Sequence, residues 1–90
     1  MRIYKYSKKL DELQDTTWFY MPNPCKIVSV VNQNNSLCIY ALVDENQPNQ
    51  HTPFRIVGTG HPVDDEGLGE FIGTVLFYGG SLVFHIFKEL

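Results

Sequence analysis

The chain has 90 residues, of which 43% are hydrophobic, 13% aromatic and only 19% charged. That length makes a single domain, residues 1–90, with a thin core, and the apolar content excludes a disordered chain. Seven Lys and Arg against ten Asp and Glu give a net charge of −3, without the basic stripe that binding to a nucleic-acid backbone demands.

Met1–Ser7 predicts an edge strand, in which Ile3, Tyr4 and Tyr6 mix with Arg2 and Lys5; lysines on an edge discourage pairing with another sheet. Lys8–Asp15 carries Leu10 and Leu13 at helical spacing but is too short for a stable helix, so a helical turn or loop is expected. Thr16–Met21, β-branched and aromatic, predicts a strand that Pro22-Asn23-Pro24 ends. Lys26–Gln33 and Ser36–Asp44 read as a hairpin around Asn34-Asn35, a pair that tolerates the positive φ of a tight turn. This register sets Val31 opposite Cys38 and places Cys25 near Asp44.

Polar Glu45–Thr52, with its proline, predicts a loop. Phe54–Thr59 predicts a strand closed by Gly60-His61-Pro62, because proline cannot donate to a ladder. Asp64–Gly69 predicts a turn or one helical turn. Glu70–Tyr78 and Ser81–Lys88 read as a second hairpin around a two-residue Gly79-Gly80 turn. The glycines within FRIVGTG (54–60) and EFIGTVL (70–76) mark a bulge or a close backbone crossing, which small barrels need in order to curl. Six or seven short strands with regular turn signals specify an all-β fold, a small antiparallel barrel or sandwich with at most one short helical turn.

No apolar run approaches the roughly 18 residues of a membrane span. The opening Met-Arg-Ile-Tyr-Lys-Tyr carries no apolar leader, so the expected location is the cytoplasm. There, Cys25 and Cys38 are expected to be free thiols. Cys25, Cys38, His51, His61 and His85 include no pair at metal-ligand spacing, so neither a metal nor a cofactor is expected.

Gly58, Thr59, Gly60 and His61, followed by Asp64 and Asp65, form the stretch that most resembles a ligand loop. Backbone N–H groups at the glycines, the Thr59 hydroxyl and His61 could meet an anion. The opposing reading is a bulge and turn with a solvated acidic rim, because no third glycine and no following helix complete a phosphate motif. His61 with Asp64 or Asp65 resembles a base with its orienter, and Thr59 or Ser81 a nucleophile, but no nucleophile elbow is present and the expectation is a protein that is not an enzyme. His85 shares a strand face with Val83 and Phe87 and reads as hydrogen-bonded at a packed interface, with a ligand role as the lesser reading. The aromatics outnumber what a thin core can hide. Tyr4, Tyr6, Trp18, Tyr20 and Tyr78 are the contact residues expected on the surface, for a partner or for self-association.

Three runs, FRIVGTGHPVDD, FIGTVLFYGGSLVFHIF and KIVSVVNQNNSLCIYALVD, after the opening RIYKY, resemble a family of very small proteins of unknown function encoded by phages and prophages. The most specific parts are Gly58–Pro62 and Gly79–His85. The chain departs from the family pattern at residues 8–20, which are lengthened, and at Asn34–Ser36, where a single-glycine turn is usual. The resemblance implies a phage accessory protein made in infected bacterial cytoplasm and brings no catalytic residues with it. By analogy with other small acidic phage proteins, it implies an anti-defence, anti-CRISPR-like inhibitor that binds a host protein. The alternatives are an oligomeric sponge for a nucleotide-like signal held at Gly58–Pro62 and His85, and a structural or virion-associated piece.

Overall fold

The computed structural model describes residues 1–89. Seven strands alternate along the chain: β1 (Arg2–Lys9), β2 (Thr16–Pro22), β3 (Cys25–Gln33), β4 (Ser36–Val43), β5 (Asn49–Gly58), β6 (Glu70–Phe77) and β7 (Leu82–Lys88). They form two antiparallel sheets, one in the order β1-β4-β3 and the other in the order β2-β5-β7-β6. The expected all-β architecture is therefore present, as a sandwich. Two isolated 3₁₀ turns, Leu10–Glu12 and Tyr78–Gly80, stand where one helical turn was expected. Among the described residues no helix is long and apolar enough to cross a membrane.

The period-two alternation of the strands builds the core. Phe19 and Met21 of β2, Leu37, Ile39, Ala41 and Val43 of β4, Phe54 and Ile56 of β5, Val75 and Phe77 of β6, and Ile86 of β7 all point between the sheets and are buried. Phe19 and Phe54 meet edge to face, with ring centroids 5.4 Å apart, across the β2–β5 pair. Removing a ring of this kind costs about 3–5 kcal/mol, so these two residues are the chief anchors of the four-stranded sheet. The buried Thr17 hydroxyl is satisfied locally: it donates to the Gln14 carbonyl at 2.8 Å and accepts from the Gln14 amide at 3.0 Å.

The first hairpin follows the sequence reading. Asn34 (φ 52°) and Asn35 (φ 61°) both take the left-handed conformation, and Val31 lies opposite Cys38. An extra residue at Val28 shifts the register between Ile27 and Ser29, so Cys25 lies opposite Val43, one residue from the expected neighbour. Cys25 and Cys38 are free thiols.

Three expectations are corrected. Glu45–Thr52 is not all loop, since Asn49–Thr52 opens β5 by pairing with Pro22, Met21, Tyr20 and Phe19; a partner strand overrides the polar composition. The second hairpin turns through four residues rather than two. Phe77 opposite Leu82 is its last pair, and Tyr78 (φ 51°), Gly79 (φ 65°) and Gly80 (φ 97°) all lie in the left-handed region between them. The third correction separates the two internal glycines. Gly73 sits at a true bulge between Phe71 and the rest of β6. Gly58 ends β5, and the His61 ring occupies the space a side chain there would need.

The two sides of the sandwich differ. On one side β3 lies against β6: Val30 packs where a side chain on Gly73 would stand, and the Asn32 side-chain amide donates to the Leu76 carbonyl at 3.0 Å. On the other side β1 and β2 are joined by residues 10–15 and make little contact.

Gly69, at the entry to β6, carries a φ of 85° and faces the Lys88 carbonyl directly, whereas Gly67 (φ 76°) faces open space. Both alanine variants suffer left-handed strain, but only Gly69→Ala also collides with backbone. Gly67→Ala is expected to cost about 1 kcal/mol and Gly69→Ala more than about 2 kcal/mol, each kcal/mol lowering Tm by about 4–8 °C. Thermal unfolding by circular dichroism checks this; equal losses would contradict the Gly69 contact.

Candidate functional site

The stretch after β5 folds back on itself. The His61 amide donates to the Gly58 carbonyl at 3.1 Å, Gly60 turns the chain with φ 83°, and Thr59, Gly60, His61 and Pro62 are exposed. His61 lies between two hollows. The larger, about 270 Å³, is lined by Asp15, Arg55, Val57, Pro62 and Asp64 among others; the smaller, about 130 Å³, adds Leu13, Gln14 and Phe84. The charges there do not suit an anion. Arg55 is already committed to Glu89, with Nη2 and Nε at 2.7 and 3.0 Å from one carboxylate oxygen, and Asp15 and Asp64 add negative charge to the wall. Asp64 and Asp65 serve the turn: Asp64 Oδ1 accepts the Glu66 amide at 3.0 Å and the Asp65 carbonyl accepts the Leu68 amide at 3.2 Å.

His85 takes a different place. It lies on the outer face of the four-stranded sheet, with Val57 on β5 and Thr74 on β6 as its neighbours. Its Nε2 is 2.7 Å from the Thr59 hydroxyl and its Nδ1 is 3.0 Å from the Thr74 hydroxyl. Either tautomer is served, because each hydroxyl can donate or accept. Thr59, His85 and Thr74 have the order of a nucleophile, a base and an orienter. The orienter is a neutral hydroxyl, however, and His85 lines neither hollow beside His61. Its evident effect is to tie β5, β7 and β6 together. His61 and His85 thus belong to different surfaces.

The aromatic residues converge more than the ligand loop does. Tyr4 and Tyr6 of β1 and Tyr20 of β2 line a hollow of about 290 Å³ between the two strands, with Pro22, Glu45 and Asn49. Trp18 lines the next hollow along the same opening. Tyr6 is half-buried and packs on the core, which corrects its expected exposure, because it points inward opposite Ile39. Glu45 clamps the outer end, accepting from the Tyr4 hydroxyl at 2.8 Å and from Arg2 Nε at 2.7 Å. That hydrogen bond, with a smaller contribution from desolvation, holds the Tyr4 hydroxyl above its ordinary value of 10.0. Burial raises Tyr6 likewise and pushes the Cys25 thiol above 9.0, against the pull of Lys88. Tyr78 stands apart, at the opposite end of the chain reversal, where it lines a groove of about 460 Å³ with Lys9, Asp11, Asn34 and Asn35.

A further surface escapes simple alternation. Trp18, Tyr20, Phe71 and Leu76 are 49%, 59%, 54% and 53% exposed on the outer face of the four-stranded sheet. Between them lie half-buried Pro53, Val57, Val83 and Phe87, together with the half-buried polar side chains of Arg55 and His85. Phe71 and Phe87 meet with ring centroids 5.3 Å apart. Strict alternation puts Phe71 inward with Val75 and Phe77, but the bulge before Gly73 flips it outward. The glycine was the sequence signal that could have shown this. Among the described residues no three His, Cys, Asp or Glu come together to hold a metal.

The Tyr4–Glu45 contact makes a pH prediction. A raised folded-state pKa means that the contact's contribution is complete below about pH 10 and is lost as pH climbs through the folded value. Absorbance titration near 295 nm should show two tyrosines, Tyr4 and Tyr6, ionising late in the wild type, and one of those ionisations, that of Tyr4, moving down toward 10 in Glu45→Ala while the other stays late. An unchanged titration would show that the contact does not persist in solution.

No curated protein matches the chain, and no solved structure does. A family model described as a domain of unknown function (DUF7352) matches residues 1–90, the full length, and the chain therefore belongs to the DUF7352 family.

Proposed function

We propose that this chain is a non-enzymatic, phage-encoded accessory protein that acts in the cytoplasm of the infected cell by binding a host protein, in the manner of an anti-defence inhibitor. The observation that carries the binding part is the outer face of the four-stranded sheet. It shows Phe71, Leu76, Trp18 and Tyr20 to solvent on paired strands, with the half-buried apolar Pro53, Val57, Val83 and Phe87 and the polar Arg55 and His85 between them. Aromatic side chains held on paired strands are the usual binding anchors. The phage setting rests on the resemblance at Gly58–Pro62 and Gly79–His85, and the inhibitory role on analogy with other small acidic phage proteins.

A second reading is favoured by the groove at Tyr78. Its ring, the Lys9 ammonium and the side chains of Asn34 and Asn35 border about 460 Å³, the elements that would stack, neutralise and read a nucleotide-like ligand. A thermal-shift screen with cyclic di- and trinucleotides tests it. A ligand at 100 times its dissociation constant adds about 2.7 kcal/mol.

The leading reading predicts that the tagged chain captures a specific host protein, and that Phe71→Ala or Leu76→Ala weakens the purified complex by about 30-fold, near 2 kcal/mol. Both side chains are exposed, so thermal stability should change little. Calorimetric titration of the captured protein with each variant checks the claim. Undiminished affinity in both, or the absence of any specific capture, would contradict it.

A further inference from the structure

The two sheets have four edges, and three of them are defended. β1 carries Arg2, Lys5, Lys8 and Lys9, so a second β1 brought alongside would set cations against cations. β3 is broken by the bulge at Val28 and lies against β6. β6 has the bulge before Gly73, and Asn32 of β3 already occupies the Leu76 carbonyl. β2 has neither a bulge nor a charge of its own, and the nearest cation is Lys8 of β1, whose Nζ lies 5.9 Å from the Phe19 ring centroid. Thr16–Pro22 pairs with β5 in unbroken register and contains no charged residue.

The free hydrogen-bonding groups of β2 can be named. The Asp15 carbonyl accepts the Ile56 amide at 2.8 Å, and the Asn23 amide donates to the Pro48 carbonyl at 3.2 Å, so both residues turn their polar groups toward the β5 side. In an antiparallel ladder the direction alternates residue by residue. Thr17, Phe19 and Met21 therefore bond to β5. Thr16, Trp18 and Tyr20 turn their N–H and C=O groups to the open edge, and Pro22 turns its C=O there. Pro22 fits this parity, since the nitrogen that lacks a hydrogen is the one that faces away from the ladder.

We propose that this edge pairs with the β2 edge of a second copy of the chain. The strand is complementary to itself when reversed. With a two-fold axis at Phe19, Trp18 and Tyr20 of the second copy exchange both backbone bonds, as do Tyr20 and Trp18 of the second copy. Each Thr16 amide donates to the opposite Pro22 carbonyl. No like charges meet within the ladder, and on the outer face Trp18 lies beside Tyr20 of the second copy, the kind of aromatic cross-strand pair that stabilises sheets. The exposed halves of both rings are then covered. Pro22 is buried beside the hollow of about 290 Å³ that Tyr4, Tyr6 and Glu45 wall, so the paired Trp18–Tyr20 bonds at the centre carry the joint. The product is one continuous sheet, with two copies of the Phe71–Leu76 surface on the same side. A joint of one strand pair is smaller than the standard interface of about 800 Å² per partner, so the dimer is expected to be weak, with a dissociation constant of about 10–100 µM.

Sedimentation equilibrium from about 1 µM to about 1 mM brackets that range. The mass should rise from monomer to dimer with concentration, and the amides of Trp18 and Tyr20 should exchange more slowly at the high end. Trp18→Pro removes an edge-facing N–H and no bond to β5, so it should remain monomeric throughout with an unchanged circular dichroism spectrum. Should that variant misfold, Tyr20→Lys places a charge on the edge and gives the same readout. A wild type that stays monomeric across the series overturns the proposal, as does a dimer that persists in the folded variants. A monomer whose Trp18 and Tyr20 amides gain protection only with a host protein also overturns it, because the edge then takes a foreign strand. Trp18 and Tyr20 also belong to the face proposed for the host protein, so host binding is read through Phe71→Ala and Leu76→Ala, which leave β2 untouched.

Discussion

Val30 rests on Gly73, in the place where any side chain on β6 would stand, and that contact shuts one side of the sandwich. The close approach needs glycine, and the glycine sits in a bulge. The bulge changes the phase of β6, so that Val75 and Phe77 enter the core while Phe71 leaves it. One local irregularity thus fixes which edge of the fold is sealed and which aromatic side chain faces water. With β3 and β6 together, the opening of the sandwich falls between β1 and β2, where Tyr4, Tyr6 and Tyr20 gather.

The distribution of polar groups follows from the same frame. His85 occupies the middle of the outer face and is held by Thr59 and Thr74 on either side, so both of its ring nitrogens are engaged by neighbouring hydroxyls. The His61 corner has space but the wrong charges, because Arg55 is neutralised by Glu89 and two aspartates remain on the wall. Four of the seven cations, Arg2, Lys5, Lys8 and Lys9, lie on β1, whereas Trp18, Tyr20, Phe71 and Leu76 are exposed on the other sheet.

Much of the architecture was legible in the residues. Asn34-Asn35 set the first hairpin, and its register followed from the turn alone as far as Val31 opposite Cys38. Lysines marked β1 as an edge, and it is one. What escaped depends on pairing at a distance. Asn49–Thr52 reads as loop because nothing local shows that β2 will reach it. The turn at Gly79-Gly80 is longer than its composition suggests because Tyr78 also adopts positive φ, which no propensity for tyrosine foretells. At the surface, the named aromatics Trp18, Tyr20 and Tyr78 are exposed as expected, Leu76 faces outward by simple alternation between Val75 and Phe77, and Phe71 required the phase change at the bulge. The ligand loop was recognised as a corner, but two of the charges that decide its character, Asp15 on the wall and Glu89 on Arg55, come from residues distant in sequence.

The claim on which the rest stands is the phase of β6, and proton–proton contacts measured by NMR on isotopically labelled protein test it most directly. The account predicts strong contacts between the Val30 methyls and the Gly73 α-protons, and between the Phe71 and Phe87 rings, with none from Phe71 to Phe77. Contacts from the Phe71 ring to Phe77 or Ile39, together with silence between Val30 and Gly73, would contradict it.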